Sequence, residues 1–391
     1  MKKEKIIVLG ASGSIGLQTL DLLKDNPNFE LVAITFNSRY ENIEPYLNFF
    51  PSLKFIGIVD TNRGNEFKNK YSERYFYAFG EDINSTLLNV VDYDSVVNSI
   101  MGNAGLVPTI ETIKKDKTLY LANKESLIIG GFLVKEELRN HPAAKLYPID
   151  SEHVALNKLI NHFSKENKAI DRYFITASGG ALREYPLANF ENVTPEIVLN
   201  HPTWSMGSKI TIDSATMVNK AYEMIEANIL FDIPFEKLEA IICYQSTLHA
   251  AVILKDEDVM NFDYSANDMH LSIAFALSKG TIEPNILRSD DELISSFTFK
   301  DIDDERYPLF NFILNQYKGK GNFIVAVINT VDEIAINYFL NKKIKFTDIR
   351  FLIETFANRY ESYKVEKIED IVSLIYQVKK ETIHFIEENY Q

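Results

Sequence analysis

The chain has 391 residues, of which 46% are hydrophobic and 25% are charged, and its formal net charge at pH 7 is -14. This is the composition of a globular protein with two or three domains, and its acidity argues against non-specific nucleic-acid binding, which needs many cations. The single cysteine excludes an intrachain disulfide bond. No continuous apolar run approaches the length of a membrane span, and the first strand starts too early for a targeting peptide. We therefore expect a cytoplasmic protein with no nucleic-acid partner and no membrane segment.

The first predicted elements are those of a nucleotide-binding unit. A β-branched strand at 5–9 leads into a glycine-rich turn at 10–16, a helical pattern follows at 17–24, and a second strand covers 29–35. Small residues in such a turn let backbone N–H groups and the helix N-terminus approach a pyrophosphate. The alternative is a turn that is glycine-rich only because it packs tightly. We predict a Rossmann-like domain over residues 1–149.

The end of the second strand favours NADPH over NADH. An acidic residue at this position would accept the ribose 2′-OH of NAD, but the chain has Asn37, Ser38 and Arg39 there. Arg39 and its two polar neighbours suit a 2′-phosphate. The alternative is that Arg39 is a solvated loop residue.

A polar segment follows a later strand of the same pattern. Residues 118–122 are predicted to form a strand that runs into Asn123, Lys124 and Glu125. Ligands of open α/β sheets bind at the carboxyl ends of the strands. Lys124 is therefore a candidate for binding a phosphate or a substrate hydroxyl, unless it is an ordinary surface lysine at the start of a helix.

Two acidic residues, Asp150 and Glu152, follow an apolar stretch. If the chain is extended there, both carboxylates project to the same side, and a divalent cation would relieve their repulsion. Glu223 would supply a third carboxylate. The alternative is that Asp150 and Glu152 cap a surface helix that starts at Ser151.

The segment from His201 to Glu223 concentrates hydroxyl, amide, cationic and acidic side chains. Its second half predicts a helix capped by Asp213 or Ser214, on which the side chains at 219, 220 and 223 share one face. A packed core would not accept this set, because burial of unpaired charge is costly. The segment therefore predicts a binding site for a phosphorylated or metal-bearing ligand, and the Ser178 turn is a second anion site.

The rest of the chain predicts the domain order. A central α+β domain is expected over 150–280, with a pair of strands at 238–244 and 250–254. Residues 281–305 are polar and irregular, which indicates a linker. Helical patterns over 306–391 predict a C-terminal helical bundle.

Together these motifs resemble the 1-deoxy-D-xylulose 5-phosphate reductoisomerase family. The resemblance is carried by five segments: GASGSIG at 10–16, ANKES at 122–126, DSE at 150–152, ASGG at 177–180 and HPTWSMGSKITIDSATMVNK at 201–220. It implies an NADPH-dependent enzyme that uses Mn²⁺ or Mg²⁺ to rearrange and reduce 1-deoxy-D-xylulose 5-phosphate to 2-C-methyl-D-erythritol 4-phosphate, in the non-mevalonate isoprenoid pathway. It also implies a homodimer, with catalysis and dimerisation in the central domain and a mobile lid at 201–208.

The same resemblance implies roles for individual residues. The metal ligands would be Asp150, Glu152 and Glu223. Catalytic residues would be these three with Lys124 and His201. The substrate would contact Lys124, Ser151, Glu152, Ser178, His201, Trp204, Met206, Ser214, Asn219, Lys220 and Glu223, with its phosphate held by Ser178, Ser214, Asn219 and Lys220. NADPH would contact Gly10, Ser12, Gly13, Ser14, Ile15, Asn37, Ser38, Arg39, Asn123, Glu125 and Gly207.

The chain departs from the family pattern at a few positions. Glycine is usual at Ala221, His-Pro at Cys243-Tyr244, arginine at His270, and Gly-Lys/Arg-Asn at residues 37–39. Two other functions are compatible with the glycine-rich start. A semialdehyde-type dehydrogenase would use Cys243 as its nucleophile, and a non-catalytic NADPH-sensing regulator would need neither the three acids nor the polar helix face.

Overall fold

A computed structural model describes residues 2–71, 74–204 and 206–390 of the chain. The strands are β1 Glu4–Leu9, β2 Phe29–Phe36, β3 Phe55–Ile58, β4 Phe76–Phe79, β5 Ser95–Asn98, β6 Thr118–Leu121, β7 Lys145–Pro148, β8 Ile170–Ala177, β9 Leu238–Cys243, β10 Leu248–Leu254, β11 Met260–Tyr264, β12 Ile286–Arg288 and β13 Phe299–Lys300. The helices are α1 Ser14–Lys24, α2 Thr61–Tyr71, α3 Ile83–Val90, α4 Leu106–Lys114, α5 Glu125–Asn140, α6 Ser151–Lys165, α7 Pro195–Val198, α8 Ser208–Ala215, α9 Val218–Phe231, α10 Met269–Leu277, α11 Pro308–Lys320, α12 Asn322–Leu340, α13 Phe346–Arg359 and α14 Ile368–Asn389.

The residues group into two compact units. The first unit contains the residues up to Ser126, with Leu133–Val154 and Asp268–Ile282. The second contains Leu127–Phe132, Ala155–Asn267 and the residues from Glu283 onward. Residues 268–280, expected in the central domain, therefore group with the first unit, as do residues 281–282 of the expected linker.

The first unit is built on a seven-stranded sheet of order β4-β3-β2-β1-β5-β6-β7. Every neighbouring pair is parallel. Ile6, Ile7, Val8 and Leu9 of β1 have no exposed surface, as expected for a central parallel strand covered on both faces. The hydrophobic core also includes Leu20 of α1 and residues of α10. This is the Rossmann-like α/β architecture that the sequence predicts.

The carboxyl edge of this sheet carries the predicted ligand-binding segments. Strand order reverses between β1 and β5, and a crevice for ligands forms at such a switch point in open α/β sheets. The segments that follow β1, β2, β6 and β7 all leave from this edge, because the strands are parallel. They contain the first-unit residues assigned above to cofactor, metal and sugar.

The second unit contains a six-stranded mixed sheet of order β12-β11-β10-β8-β9-β13. β8 and β9 are parallel, whereas the other pairs are antiparallel. The predicted strands β9 and β10 exist, but they lie on either side of β8 and do not pair. The expectation of an irregular linker at 281–305 is wrong, because β12 and β13 form the two edges of this sheet.

The C-terminal residues form the predicted helices α11 to α14, and α12 packs against α13 and α14. Among the described residues, α12 alone is long and apolar enough to span a membrane, with a mean hydropathy of 1.5. Asp332 and Glu333 interrupt its apolar residues, so no continuous run is visible in the sequence. Within the fold 67% of this stretch is buried, as is common for a core helix.

Candidate active site

The glycine-rich turn after β1 has the backbone geometry that a pyrophosphate site requires. Gly10 has a φ of +77°, and a Cβ there would lie 2.5 Å from the Ser99 carbonyl oxygen. A Cβ at Gly16 would lie 2.4 Å from the Gly10 carbonyl oxygen. Gly13 is the N-cap of α1, and because it has no side chain, nothing of it covers the first N–H groups of that helix. These residues fit a dinucleotide, because the helix N-terminus and the glycine backbone remain accessible to it.

The tip of β2 is joined to the tip of β3. The Asp60 N–H donates to the Asn37 carbonyl oxygen at 3.0 Å. Arg39 is exposed, and no hydrogen bond or ion pair of its side chain is found among the described residues. Arg63, which the sequence analysis did not single out, donates from Nε to the Ser38 carbonyl oxygen at 3.4 Å.

Asn123 is buried, and its side chain is hydrogen-bonded within the protein. It is 2% exposed, and its amide donates at 2.9 Å to the carbonyl oxygens of Ile100 and Gly102 and at 2.8 Å to Glu125. Its oxygen accepts from the Ser126 N–H at 2.9 Å. The side chain therefore ties the end of β6 to the loop after β5. Its contact with the cofactor remains a prediction.

Lys124 and Asp150 lie together at the carboxyl edge. Lys124 Nζ donates to Asp150 Oδ2 at 2.9 Å, and both side chains are largely buried. The Ser151 hydroxyl donates to Glu152 Oε2 at 2.8 Å. His153, to which the sequence analysis assigned no role, has no exposed surface and places Nδ1 3.3 Å from Asp150 Oδ1. In the sequence, this contact is indicated by the position of His153 three residues after Asp150.

The expectation of an extended chain at Asp150 is wrong. Helix α6 begins at Ser151, and Asp150 Oδ1 accepts from the N–H groups of Glu152 at 3.1 Å and His153 at 3.4 Å. The helix-capping alternative is therefore correct for Asp150, because the chain turns directly from β7 into α6. The helix is not a surface helix, however, since Leu156 is fully buried. One Asp150 oxygen serves the cap, and the other faces Lys124.

Three of the predicted phosphate and substrate residues meet in the second unit. His201 Nε2 lies 3.0 Å from the Ser178 hydroxyl and 3.2 Å from the Ser214 hydroxyl. The two hydroxyls are 3.5 Å apart. Ser178 follows β8, and Ser214 lies in the last turn of α8. Segments far apart in the sequence thus build one cluster of hydroxyl and imidazole groups.

Backbone contacts fix the tautomer of His201. The N–H groups of Thr203 and Trp204 donate to His201 Nδ1 at 3.2 and 3.0 Å. Burial, with the positive charge of Arg183 as the smaller cause, lowers the pKa of His201 to about 4. The ring is therefore neutral near pH 7 and carries its proton on Nε2, where it can donate to a serine hydroxyl or to a phosphate oxygen.

Gly180 explains how the Ser178 turn comes close to α8. Its φ is +69°, and a Cβ there would lie 2.6 Å from Ala215 Cα and from the Ser214 carbonyl oxygen. The Gly180 N–H donates to the Ser178 hydroxyl at 3.1 Å. Any side chain at this position would push the turn away from Ser214. Arg183 supports the turn by donating to the Ser178 carbonyl oxygen at 3.0 Å.

The predicted polar face is present on α9. Asn219 and Lys220 both contact the Glu223 carboxylate through their side chains. The side chains of Lys220 and Glu223 are 5% and 2% exposed. The predicted cap is wrong, because Asp213 and Ser214 lie within α8. Helix α9 starts at Val218, after Met217 in the left-handed conformation with φ 61°.

A buried charge cluster, missed in the sequence, holds the start of α8. Lys209 Nζ donates to Asp213 at 2.6 Å and to Asp332 of α12 at 2.8 Å. Both carboxylates are buried. Burial and the neighbouring Asp332 raise the pKa of Asp213, and Lys209 opposes this rise. No sequence signal connects Lys209 with a partner 123 positions away.

The predicted lid at 201–208 includes Ser205, which lies outside the described residues. Trp204 is half-buried, with its ring 6.2 Å from that of His249. Met206 is also half-buried, and the exposed Gly207 is the N-cap of α8. Gly207 belongs to the second unit and the other predicted cofactor residues to the first. The mobility of the segment and its contact with NADPH remain predictions.

The residues that depart from the family pattern have local partners. Ala221 is fully buried within α9. The Arg183 guanidinium lies 4.1 Å from the centre of the Tyr244 ring. His270 of α10 lies 2.8 Å from Asp268.

Cys243 is unsuited to act as a nucleophile. It has no exposed surface, and burial raises the pKa of its thiol. A reactive cysteine requires an accessible thiolate with a lowered pKa. This environment disfavours the semialdehyde-dehydrogenase alternative.

Comparison with protein-family models identifies one family along most of the chain. A model described as 1-deoxy-D-xylulose 5-phosphate reductoisomerase matches residues 6–131. A model described as the 1-deoxy-D-xylulose 5-phosphate reductoisomerase C-terminal domain matches residues 146–231. A further model, described as the DXP reductoisomerase C-terminal domain, matches residues 264–381.

Curated relatives agree over the full length. The 1-deoxy-D-xylulose 5-phosphate reductoisomerase of Bacillus pumilus is 37% identical over 390 residues, which are 98% of each chain. The enzyme of Thermotoga maritima is 36% identical and covers 96% of this chain and 95% of its own.

Solved structures also agree in fold. The Zymomonas mobilis reductoisomerase in complex with NADPH has a TM-score of 0.85 at 33% identity, over 99% of this chain and all of that one. A DOX-P reductoisomerase in complex with NADPH, fosmidomycin and magnesium also has a TM-score of 0.85, at 29% identity and with the same coverage. The chain therefore belongs to the 1-deoxy-D-xylulose 5-phosphate reductoisomerase family, and it is an oxidoreductase that also acts as an isomerase.

Proposed function

We propose that this chain uses NADPH and one Mg²⁺ or Mn²⁺ ion to convert 1-deoxy-D-xylulose 5-phosphate to 2-C-methyl-D-erythritol 4-phosphate, a step of the non-mevalonate isoprenoid pathway. The observation that carries the proposal is the meeting of Ser178, His201 and Ser214 in the unit whose helix α9 presents Glu223. Family membership supports the reaction, and the ligands of the related structures support the cofactors.

Asp150, Glu152 and Glu223 are the proposed metal ligands. Carboxylate oxygens are the donors that Mg²⁺ and Mn²⁺ prefer. A DOX-P reductoisomerase was solved in complex with magnesium, which supports the use of that ion. The ion would act as a Lewis acid on the ketone and orient a neighbouring hydroxyl during the rearrangement. Lys124 partly neutralises Asp150, as Lys220 does Glu223.

The phosphate of the substrate is proposed to bind between α8 and α9. Ser178 and Ser214 offer hydroxyl groups, Asn219 an amide, and Lys220 a positive charge. His201 donates from Nε2, because its Nδ1 is already an acceptor of backbone N–H groups. Phosphate binding remote from the reacting carbons would help to position them.

The sugar end is proposed to contact Lys124 and Ser151, with Trp204 and Met206 closing over it. The chain supplies no covalent nucleophile in this account. Its side chains orient the substrate, stabilise developing charge and exclude water when the lid closes.

NADPH is proposed to bind at the carboxyl edge of the first-unit sheet. Its pyrophosphate would lie on the turn of Gly10, Ser12, Gly13, Ser14 and Ile15. The 2′-phosphate would contact Asn37, Ser38 and Arg39, and the remainder of the cofactor would contact Asn123, Glu125 and Gly207. The bound cofactor would supply the hydride for the reduction.

We also propose that the chain is a cytoplasmic homodimer. This rests on the family alone. Analytical ultracentrifugation of the purified protein measures the oligomeric state, and a monomeric mass would contradict it.

The direct test of the activity is NADPH oxidation with 1-deoxy-D-xylulose 5-phosphate, measured with and without Mn²⁺. We expect turnover only when the metal is present. Ser214→Ala should raise the KM for the substrate, and an unchanged KM would remove Ser214 from the phosphate site. Turnover that survives chelation of the metal, or that is abolished by thiol alkylation, would contradict the proposal.

A further inference from the structure

Arg63 lies beside the turn at which the 2′-phosphate of NADPH is expected. It is in the first turn of α2, and Asp60 Oδ1 accepts from the Arg63 N–H at 3.0 Å. Its Nε donates to the Ser38 carbonyl oxygen at 3.4 Å. The guanidinium carbon lies 4.3 Å from the centre of the Tyr40 ring. The side chain thus reaches from α2 to the residues that follow β2.

The contacts of Arg63 hold its guanidinium in place without burying it. Stacking on an aromatic ring favours a planar cation and restricts its side chain. The side chain remains 31% exposed, and its two acidic partners are Glu41, at 57% exposure, and Glu66, at 54%. Carboxylates this exposed stabilise an ion pair only weakly. A phosphate dianion can therefore replace one of them at small cost.

The charges at this edge also call for a second cation. Arg39 is the only cation among residues 37–39. Two acids are near this turn: the Asp60 N–H donates to the Asn37 carbonyl oxygen, and Glu41 forms an ion pair with Arg63. A terminal phosphate carries nearly two negative charges at neutral pH, which one exposed arginine balances only in part. Arginine forms two parallel hydrogen bonds to phosphate oxygens, a geometry that lysine cannot reproduce.

We propose that Arg63 is a specificity-determining residue that binds the 2′-phosphate together with Arg39, and so makes the chain prefer NADPH to NADH. The inference rests on the proposed use of NADPH. On binding, the guanidinium exchanges a carboxylate of Glu41 or Glu66 for the phosphate, while Tyr40 continues to stack on it.

Calorimetric binding to the intact protein tests this assignment without turnover. The two ligands are adenosine 2′,5′-bisphosphate and adenosine 5′-monophosphate, which differ only in the 2′-phosphate. Arg63→Met should weaken binding of the bisphosphate about 10- to 100-fold, the range for loss of a charge-assisted hydrogen bond. Binding of the monophosphate should change less than about twofold. Arg63→Lys should restore part of the loss, because it retains the charge.

Arg74→Met is the matched control. Arg74 also lies over a tyrosine ring, at 5.1 Å from Tyr75, and donates to the Leu47 carbonyl oxygen at 2.9 Å. It follows α2 rather than starting it, so it lies away from the carboxyl edge. This variant should bind both ligands as the wild type does.

The possible outcomes separate the inference from the proposed function. If the wild-type protein does not prefer the bisphosphate, the proposed use of NADPH fails. If the wild type prefers it and Arg63→Met retains that preference, Arg63 is not part of the site. An equal loss of both ligands would show that Arg63 only holds the turn in shape, and would also overturn the inference.

Discussion

The two units build their candidate ligand sites in different ways. The first unit uses backbone geometry at the ends of parallel strands, where Gly10 and Gly16 leave no room for a side chain. The second unit uses charged and polar side chains held by internal partners, as in the contacts of Lys220 and Lys209. A dinucleotide is recognised by backbone N–H groups and a helix terminus. A small phosphorylated sugar with a metal ion needs oriented charge, and orienting charge requires burial and pairing.

The largest effect should come from removing charge in the second unit. Glu223→Gln should lower kcat by at least about 100-fold, because loss of even an outer-shell metal partner costs about 10- to 100-fold. Glutamine keeps the shape of the side chain, so the fold should be retained, although the buried Lys220 loses its counter-charge and the free energy of unfolding should fall. Steady-state kinetics at saturating Mn²⁺ measures the effect.

Glu239→Gln on β9 is its control, because Glu239 is an exposed partner of Arg172. Its turnover should stay within about twofold of the wild type, as for loss of a surface ion pair. Unchanged turnover in Glu223→Gln would remove Glu223 from the ligand set.

Gly180 is an exception to this difference between the units, because here the second unit also depends on backbone geometry. Gly180→Ala places a Cβ 2.6 Å from Ala215 Cα at a φ of +69°. We expect the substrate KM to rise about tenfold or more, since displacement of a binding group by about 1 Å can cost about 100-fold. Backbone strain should also lower the free energy of unfolding by about 1–3 kcal/mol.

Gly319→Ala in α11 is the control for the added methyl group. A Cβ there meets no atom within 4 Å, and alanine favours a helix over glycine by about 1 kcal/mol. This variant should keep the wild-type KM and be slightly more stable. If Gly180→Ala behaved in the same way, the close approach of the Ser178 turn to α8 would not matter for binding.

The next effect should come from the charges that anchor α8. Lys209→Met leaves Asp213 and Asp332 buried side by side, so it should lower the free energy of unfolding by about 1–3 kcal/mol, less than for a fully buried pair because Lys209 is partly exposed. The substrate KM should rise severalfold, because α8 carries Ser214. Chemical denaturation and kinetics measure the two changes.

A double variant sharpens this test. Lys209→Met combined with Asp332→Asn removes the cation together with one of its acids. It should be less destabilised than the sum of the single changes, because coupled neighbours are not additive. Additive losses would show that Lys209 and Asp332 do not act as a pair.

The smallest effect concerns the pH dependence of stability. The pKa of His201 is lowered from 6.5 to about 4 in the folded chain. Between these values the unfolded chain binds more protons, so stability is lost as the pH falls from 6.5 towards 4. Because the ring is partly exposed, we expect a contribution of about 1 kcal/mol. His201→Gln should have a flatter profile in urea denaturation over this pH range, and identical slopes would contradict the assignment.

The features that the sequence predicts correctly depend on neighbours along the chain. The turn at Gly10 follows a β-branched strand and precedes a helical pattern, so its position can be inferred locally. The shared face of Asn219, Lys220 and Glu223 follows from helical spacing alone. Both predictions of geometry are confirmed.

The errors have two physical origins. Asp150 follows a strand and precedes a helix, and an acid at such a boundary has the same pattern whether it extends the strand or caps the helix. The edge strands β12 and β13 have only three and two residues, so their pairing depends on the sheet rather than on a pattern of their own. The partners Lys209–Asp332 and Gly180–Ala215 are set by tertiary packing, which a single sequence does not display.

Asp150, Glu152 and Glu223 are proposed to bind one divalent ion, and this assignment is the basis of the proposed function. The most direct measurement is a titration of the metal-free protein with Mn²⁺, followed by electron paramagnetic resonance in the absence of substrate. We expect one site in the wild type, with markedly weaker binding in Asp150→Asn, Glu152→Gln and Glu223→Gln and none of this loss in Glu239→Gln. A Mn²⁺ affinity that is the same in the wild type and in all three ligand variants would contradict this assignment.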